Sequence, residues 1–368
     1  MTSERHWTYF NPTKIIFGDG AIQGIGEQIA GRRYVLVTYD QPPFKEMVKL
    51  VSASAGSPAA IIDNIVTNPD FQALTQAGVQ FAEAGDVECI VALGGGSVID
   101  VAKVLAAGNG DFNKIRHFLQ TGEGGDSLHA IPIIAVPTTA GTGSEVTCWA
   151  TVWDTDENKK YSLARTNLYP ESALIDPALT LGLPKVLTIS TGLDALSHAL
   201  ESIWNLNANP VSSSHAVMAS REAIAVLPLL ANDLRNPALR LRMAKAAMMA
   251  GLAFSNTKTA LAHSLSYPIT LRHGVPHGVA CSFSLPMVMR WVAGSDLDCD
   301  ASLKLIFGED LSAGADRLEA MIADLGVGTS PSDHGVAADE WKTLVSDALA
   351  GERGRNFLGN RDKVLESL

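Results

Sequence analysis

Cysteine is scarce in this 368-residue chain, and the four present (Cys89, Cys148, Cys281, Cys299) keep neither a disulfide-framework nor a zinc-finger spacing. Positive charge is short as well. The 28 Lys+Arg against 39 Asp+Glu leave a net charge of 28 − 39 = −11, and no basic run offsets it. A polyanion is a poor partner for such a chain, so nucleic acid is not expected. Long apolar runs are missing too: the longest, Ala130 to Pro137, is strand-sized, well below the roughly 18–20 residues of a membrane span. The start, Met1 to Trp7, holds no apolar core of a signal peptide. These absences predict a soluble, cytoplasmic protein with no membrane partner. What remains, 46% hydrophobic and 18% charged residues, is the composition of a folded globular protein.

Two grammars divide the chain. In the first half, Tyr34–Thr38, Ala60–Ile62, Cys89–Leu93 and Ile131–Val136 are short, nearly continuous apolar runs. That pattern predicts strands of a parallel sheet covered on both faces. Asp70–Ala84 and Ser97–Ala107 read as crossover helices between them. After about Pro184 the β-branched runs vanish, and Val217–Leu230 and Leu239–Phe254 carry helical periodicity. Pro210, Pro228, Pro237, Pro268 and Pro276 are expected to start or stop helices. The predicted fold is an α/β N-terminal domain with a mainly parallel sheet over residues 1–183, followed by an all-helical domain over 184–368.

Two turns suit a dinucleotide. The run ending at Leu93 enters Gly94-Gly95-Gly96-Ser97 and then resumes helical spacing. Glycines let a backbone come close to a ligand, and the helix start beyond offers N–H groups and a positive dipole end to a pyrophosphate. Ser97 with Asp100 has the form of a capping box. The G-x-G-x-x-G fingerprint is absent, because Ile99 fills its third glycine position. After the second run comes Pro137-Thr138-Thr139-Ala140-Gly141-Thr142-Gly143-Ser144-Glu145, whose hydroxyls suit ribose or phosphate oxygens. Both turns follow parallel strands, where open α/β sheets place ligands. Asp40 follows the first run and either accepts from a ribose 2′-OH, favouring NAD(H) over NADP(H), or is an ordinary turn residue.

The helical half concentrates metal-type donors. Asp194 and His198 are four apart and share a helix face, whereas Leu193, Leu196, Leu200 and Ile203 form a separate apolar stripe. His263, His273 and His277 fall within fifteen residues. One aspartate with two or three histidines fits Fe²⁺ or Zn²⁺ and leaves a position open for substrate.

With these pieces in order, the chain resembles the iron-containing alcohol dehydrogenase family. The matching stretches are Asn11-Pro12 to Phe17-Gly18, Gly94-Gly95-Gly96-Ser97 with Asp100 and Lys103, Pro137 to Glu145, and Asp176-Pro177. Thr191 to His198 and Pro276-His277-Gly278 complete the set. The resemblance implies a dehydroquinate-synthase-like fold with NAD(P)(H) between the domains. It also implies one divalent metal, Fe²⁺ or Zn²⁺, bound by Asp194, His198, His263 and His277. Asn68, Gly95, Gly96, Ser97, Thr138, Thr139 and Lys160 (or Lys159 in its place) match positions where the family contacts the dinucleotide. The implied reaction is reversible aldehyde reduction in a homodimer.

One position departs from the pattern. The family often has a relay histidine four residues after the first ligand of the second stretch, and here Tyr267 stands there. Tyr267 itself, a water chain or His273 would have to move the proton instead, or Tyr267 is simply pocket wall. Arg272, with Arg353 and Arg355 in a glycine-flanked tail loop, offers guanidinium forks to a phosphonate, phosphate or carboxylate. Ser266-Tyr267-Pro268 and the Arg-Gly-Arg-Asn tail resemble the phosphonoacetaldehyde reductase branch, which makes 2-hydroxyethylphosphonate. The alternatives are a dehydrogenase of a neutral short-chain alcohol or diol, and a dehydroquinate-synthase-like lyase.

Overall fold

The computed structural model describes residues 6–157 and 159–368. Residues 1–5 of the polar start therefore lie outside the described residues. Two compact units form, one of residues 11–139 and 143–181, the other of 182–368 with the described residues up to Phe10 and with Ala140–Thr142. The helical unit thus takes in two pieces of chain that precede residue 184.

The first unit is built on a six-stranded sheet in the order β1-β8-β5-β4-β2-β3, parallel throughout. Its strands are β1 (Lys14–Phe17), β2 (Tyr34–Val37), β3 (Ala60–Ile62), β4 (Cys89–Gly94), β5 (Ile133–Pro137) and β8 (Ser172–Ile175). Alternate residues of one strand serve opposite cores, which explains the unbroken apolar runs. Val35, Val37, Ile90, Ala92, Ile133 and Ala135 pack on one side. Tyr34, Leu36, Cys89, Val91, Leu93, Ile134 and Val136 pack on the other. A separate antiparallel hairpin joins β6 (Trp149–Asp154) to β7 (Lys159–Ala164).

Helix Phe71–Glu83 begins at Asp70, whose carboxylate accepts from the Ala73 N–H. Helix Gly96–Gly108 begins differently from the capping-box expectation. Gly95 is its N-cap and provides no side chain, while Ser97 and Asp100 lie inside the helix. Asp100 instead accepts from Ser144 Oγ at 2.7 Å and the Thr151 N–H at 2.9 Å. Those two bonds take the carboxylate away from its own helix start.

In the helical unit, Lys185–Ile203, Pro210–Asn232 and Pro237–Thr257 pack on one another. Pro210 and Pro237 open their helices, as expected, and Pro276 precedes the short helix His277–Ala280. Pro228 and Pro268, however, sit inside helices. Both are half-buried, with buried residues within two positions on either side of each ring. Packing of the buried faces on both sides outweighs a penalty of about 3 kcal/mol. Among the described residues, no helix is long and apolar enough to cross a membrane.

Candidate functional site

Two clusters of the expected residues form, one in each unit. In the α/β unit, strand order reverses between β2 and β4, the topological switch point where doubly wound sheets bind ligands beyond their carboxyl ends. Tyr39 and Asp40 follow β2, Gly95 to Ser97 follow β4, and Thr138 and Thr139 follow β5. Asn68 holds a left-handed backbone (φ +55°) and donates its N–H to Ser97 Oγ at 3.3 Å. A Cβ on Gly95 would meet Thr139 Cγ2 at 3.3 Å, so the glycine keeps this edge narrow. Trp153, paired with Lys160 in the β6–β7 hairpin, donates its N–H to the Pro69 carbonyl and draws the hairpin to the Asn68 turn. Asp40 stands apart: its exposed carboxylate pairs with Lys45 at 2.6 Å. The hydroxyl of Tyr39, which hydrogen-bonds Ser97, joins the cluster although no motif marks it in the sequence.

A buried ion lock supports this edge. Lys103 is fully buried and donates from Nζ to the Ser144 carbonyl (2.7 Å), Ser144 Oγ (2.9 Å) and the Trp149 carbonyl (2.8 Å). Burial pulls its pKa down to about 8. Nearby Glu145 is pushed up to about 6, also by burial.

In the helical unit, Asp194 and His198 project from one turn of helix Lys185–Ile203. His263 comes from helix Leu261–His273 and His277 from the first residue of helix His277–Ala280. Gly278 lets that short helix approach, since a Cβ there would run into the Ser190 carbonyl. All three imidazoles surround one oxygen. Asp194 Oδ1 lies 3.8 Å from His198 Nδ1, 3.5 Å from His263 Nε2 and 3.9 Å from His277 Nε2. These gaps are too long for hydrogen bonds and close to the roughly 3.4 Å edge of a tetrahedron with 2.1 Å metal–ligand bonds. His198 Nδ1 and His263 Nε2 are buried with no hydrogen-bond partner among the described residues. Buried orphan nitrogens facing a carboxylate fit a divalent cation.

Electrostatics agree. Burial opposes ionisation of Asp194, but the imidazoles of His198, His263 and His277 hold it well below the usual carboxylate range. Burial lowers His198 to about 4. His263 is raised despite its burial, because Glu201 and Asp194 favour its cation.

Three neighbours were not singled out from the sequence. Glu201, fully buried, lies 2.6 Å from His263 Nδ1. Cys281 Sγ donates to Asp194 Oδ1 at 3.5 Å and falls within 4.8 Å of donor atoms of Asp194, His263 and His277. Phe254 stacks on the His198 ring at 4.0 Å between centroids. Glu201 does continue the Asp194–His198 face at helical spacing, a signal available beforehand. Cys281 offered none.

The remaining predicted residues separate. Tyr267 lies parallel to His277, centroids 5.9 Å apart, and the Arg353 guanidinium covers its ring at 5.1 Å. Burial pushes the Tyr267 hydroxyl up to about 12. His273 pairs with Glu340 at 3.0 Å, and the largely exposed Arg272 approaches the same carboxylate at 3.7 Å. Arg355 is exposed.

Comparison with known proteins agrees with this geometry. Residues 12–177 match the model "Iron-containing alcohol dehydrogenase", and residues 188–367 match "Fe-containing alcohol dehydrogenase family, C-terminal". Phosphonoacetaldehyde reductase of Streptomyces viridochromogenes is 34% identical over 64% of this chain and 60% of its own length. NAD-dependent methanol dehydrogenase of Bacillus methanolicus is 30% identical over 93% of both chains. The crystal structure of sulfoacetaldehyde reductase from Bifidobacterium kashiwanohense in complex with NAD+ superposes with a TM-score of 0.89 at 29% identity, covering 99% of this chain and 98% of that one. The two matched family models, together with a helical unit carrying the Asp194 cluster and a parallel α/β unit with a glycine-lined switch point, make this chain a member of the iron-containing alcohol dehydrogenase family, whose enzymes use NAD(H) and a divalent metal.

Proposed function

We propose that the enzyme reduces a small aldehyde bearing an anionic group, with phosphonoacetaldehyde to 2-hydroxyethylphosphonate as the leading case. The observation that carries this reading is Arg353, a permanent cation held over Tyr267, which in turn lies flat beside the donor residue His277. Two relatives named for phosphono- and sulfoacetaldehyde support it. Asp194, His198, His263 and His277 hold the divalent cation, and Asn68, Gly95, Gly96, Ser97, Thr138, Thr139 and Lys160 hold the dinucleotide. The working form is a homodimer, which sedimentation tests.

The balanced reaction joins aldehyde, NAD(P)H and one proton to give alcohol and NAD(P)+. A cation bound by the four ligands supplies Lewis acidity toward the carbonyl oxygen. The protein's own groups do the rest. His277 has the most exposed side chain of the four, 30%, so substrate approaches from its side. Arg353 holds the anion there. Tyr267, protonated throughout the neutral range, has its hydroxyl hydrogen-bonded to Thr259 and does not serve as a base at neutral pH. His273 is engaged by Glu340 at 3.0 Å, so the proton the reaction consumes is taken to arrive through a water chain.

A second reading, oxidation of a neutral short-chain alcohol, is favoured by the methanol dehydrogenase relative. An NADH and NADPH oxidation screen on metal-analysed protein decides between them. Turnover of phosphonoacetaldehyde well above propanal supports the first, and the reverse order rejects it. Absence of any net NADH consumption with aldehydes would point instead to lyase chemistry, which regenerates its NAD+.

A further inference from the structure

We propose that Glu201 is a positioning residue that fixes the tautomer of His263 and thereby turns its Nε2 lone pair toward the metal. The proposal rests on the reading that Asp194, His198, His263 and His277 hold a divalent cation. Glu201 lies on the Asp194–His198 face of its helix and is fully buried. Its Oε2 is 2.6 Å from His263 Nδ1, and its Oε1 accepts the backbone N–H groups of Ala262 (2.5 Å) and His263 (3.3 Å). Helix Leu261–His273 starts at those N–H groups, and its N-cap, Ala260, provides no side-chain bond. One carboxylate from another helix therefore caps this helix start and meets the imidazole.

Such a carboxylate only accepts, so Nδ1 must donate. Ser197 Oγ, 3.4 Å from Nδ1, gives its own proton to the Cys281 carbonyl at 2.9 Å and offers Nδ1 no competing donor. The neutral ring then carries its proton on Nδ1 and a lone pair on Nε2. That nitrogen is the buried, unpartnered atom 3.5 Å from Asp194 Oδ1. A carboxylate behind a ligating histidine orients the ring and raises its basicity.

Glu201→Gln separates this role from simple support. The amide oxygen keeps the two backbone N–H bonds, while the amide NH₂ faces Nδ1 and forces it to accept. The ring proton moves to Nε2, in the ligating position. Zn²⁺ is titrated into metal-free wild type and variant against a chromophoric chelator, with melting curves of both metal-free proteins. Two-bond ¹H–¹⁵N correlation of the histidines, at a pH alkaline enough to keep the ring neutral, reads the tautomer directly. The expected results are Nδ1–H in wild type, Nε2–H in the variant, and a roughly 10- to 100-fold loss of Zn²⁺ affinity. An unchanged affinity in a folded variant, or Nε2–H in the wild type, overturns the proposal. If the wild type takes up no Zn²⁺, the metal reading falls, while the wild-type tautomer still decides the role of Glu201.

Discussion

Replacing Arg353 with methionine should divide charged from neutral substrates. Arg353 Nε is committed to Thr259 Oγ1 at 2.8 Å, which leaves the two terminal nitrogens of the fork to face an anion above Tyr267. A hydrogen bond to a charged group is worth about 1.5–3 kcal/mol. At 1.36 kcal/mol per factor of ten, that is a roughly 10- to 150-fold loss in kcat/KM for phosphonoacetaldehyde. Propanal, with no charge to lose, should keep its kcat/KM. Arg272→Met is the internal control: its side chain is 63% exposed and already shares Glu340, a surface pairing worth at most about 1 kcal/mol. The assay is NADH oxidation at 340 nm over a concentration series of each aldehyde. Equal losses on both aldehydes in the Arg353 variant, or a larger loss from Arg272 than from Arg353, would refute the anion pocket.

Other outcomes follow from the two clusters. His263→Ala or His277→Ala should abolish turnover while leaving dinucleotide binding measurable by NADH fluorescence. Lys103→Met removes the cation beside Asp100 and strands the Ser144 and Trp149 carbonyls, costing about 3–5 kcal/mol of stability in urea unfolding. Glu145 has its folded pKa raised to about 6 from 4.5, so its contribution to stability is complete below pH 4.5 and lost as pH rises through 6. Glu145→Gln, which cannot ionise, should therefore be more stable than wild type at pH 7 by about 2 kcal/mol, from (6 − 4.5) × 1.36, with the gap closing below pH 4.5. A gap that is independent of pH would contradict the assignment.

Strands β2, β4 and β5 were legible because they face a core on both sides and so stay apolar at every position, whereas the interior strand β8, only four residues long and opening on Ser172, was not read from the sequence. The sheet's edge strand β1 and the hairpin strand β7 were not, since Lys14 and Lys159 open short, partly exposed segments that lack that signature. Proline misled at 228 and 268, where burial on both sides of the ring carries the helix through. In the site, Asp194 and His198 announce themselves by local spacing. The partner of His263 does not, because Glu201 is 62 residues away in the chain and meets it only through helix packing. Arg272 and Arg353 were equivalent as sequence, and only the structure engages one with Glu340 and the other with Tyr267.

Anomalous scattering from a crystal of the enzyme grown with its native metal probes the whole scheme at once. A single peak bonded to Asp194, His198, His263 and His277, lost together with turnover on chelation, is the predicted result. Full turnover from protein with no metal at those side chains would contradict it.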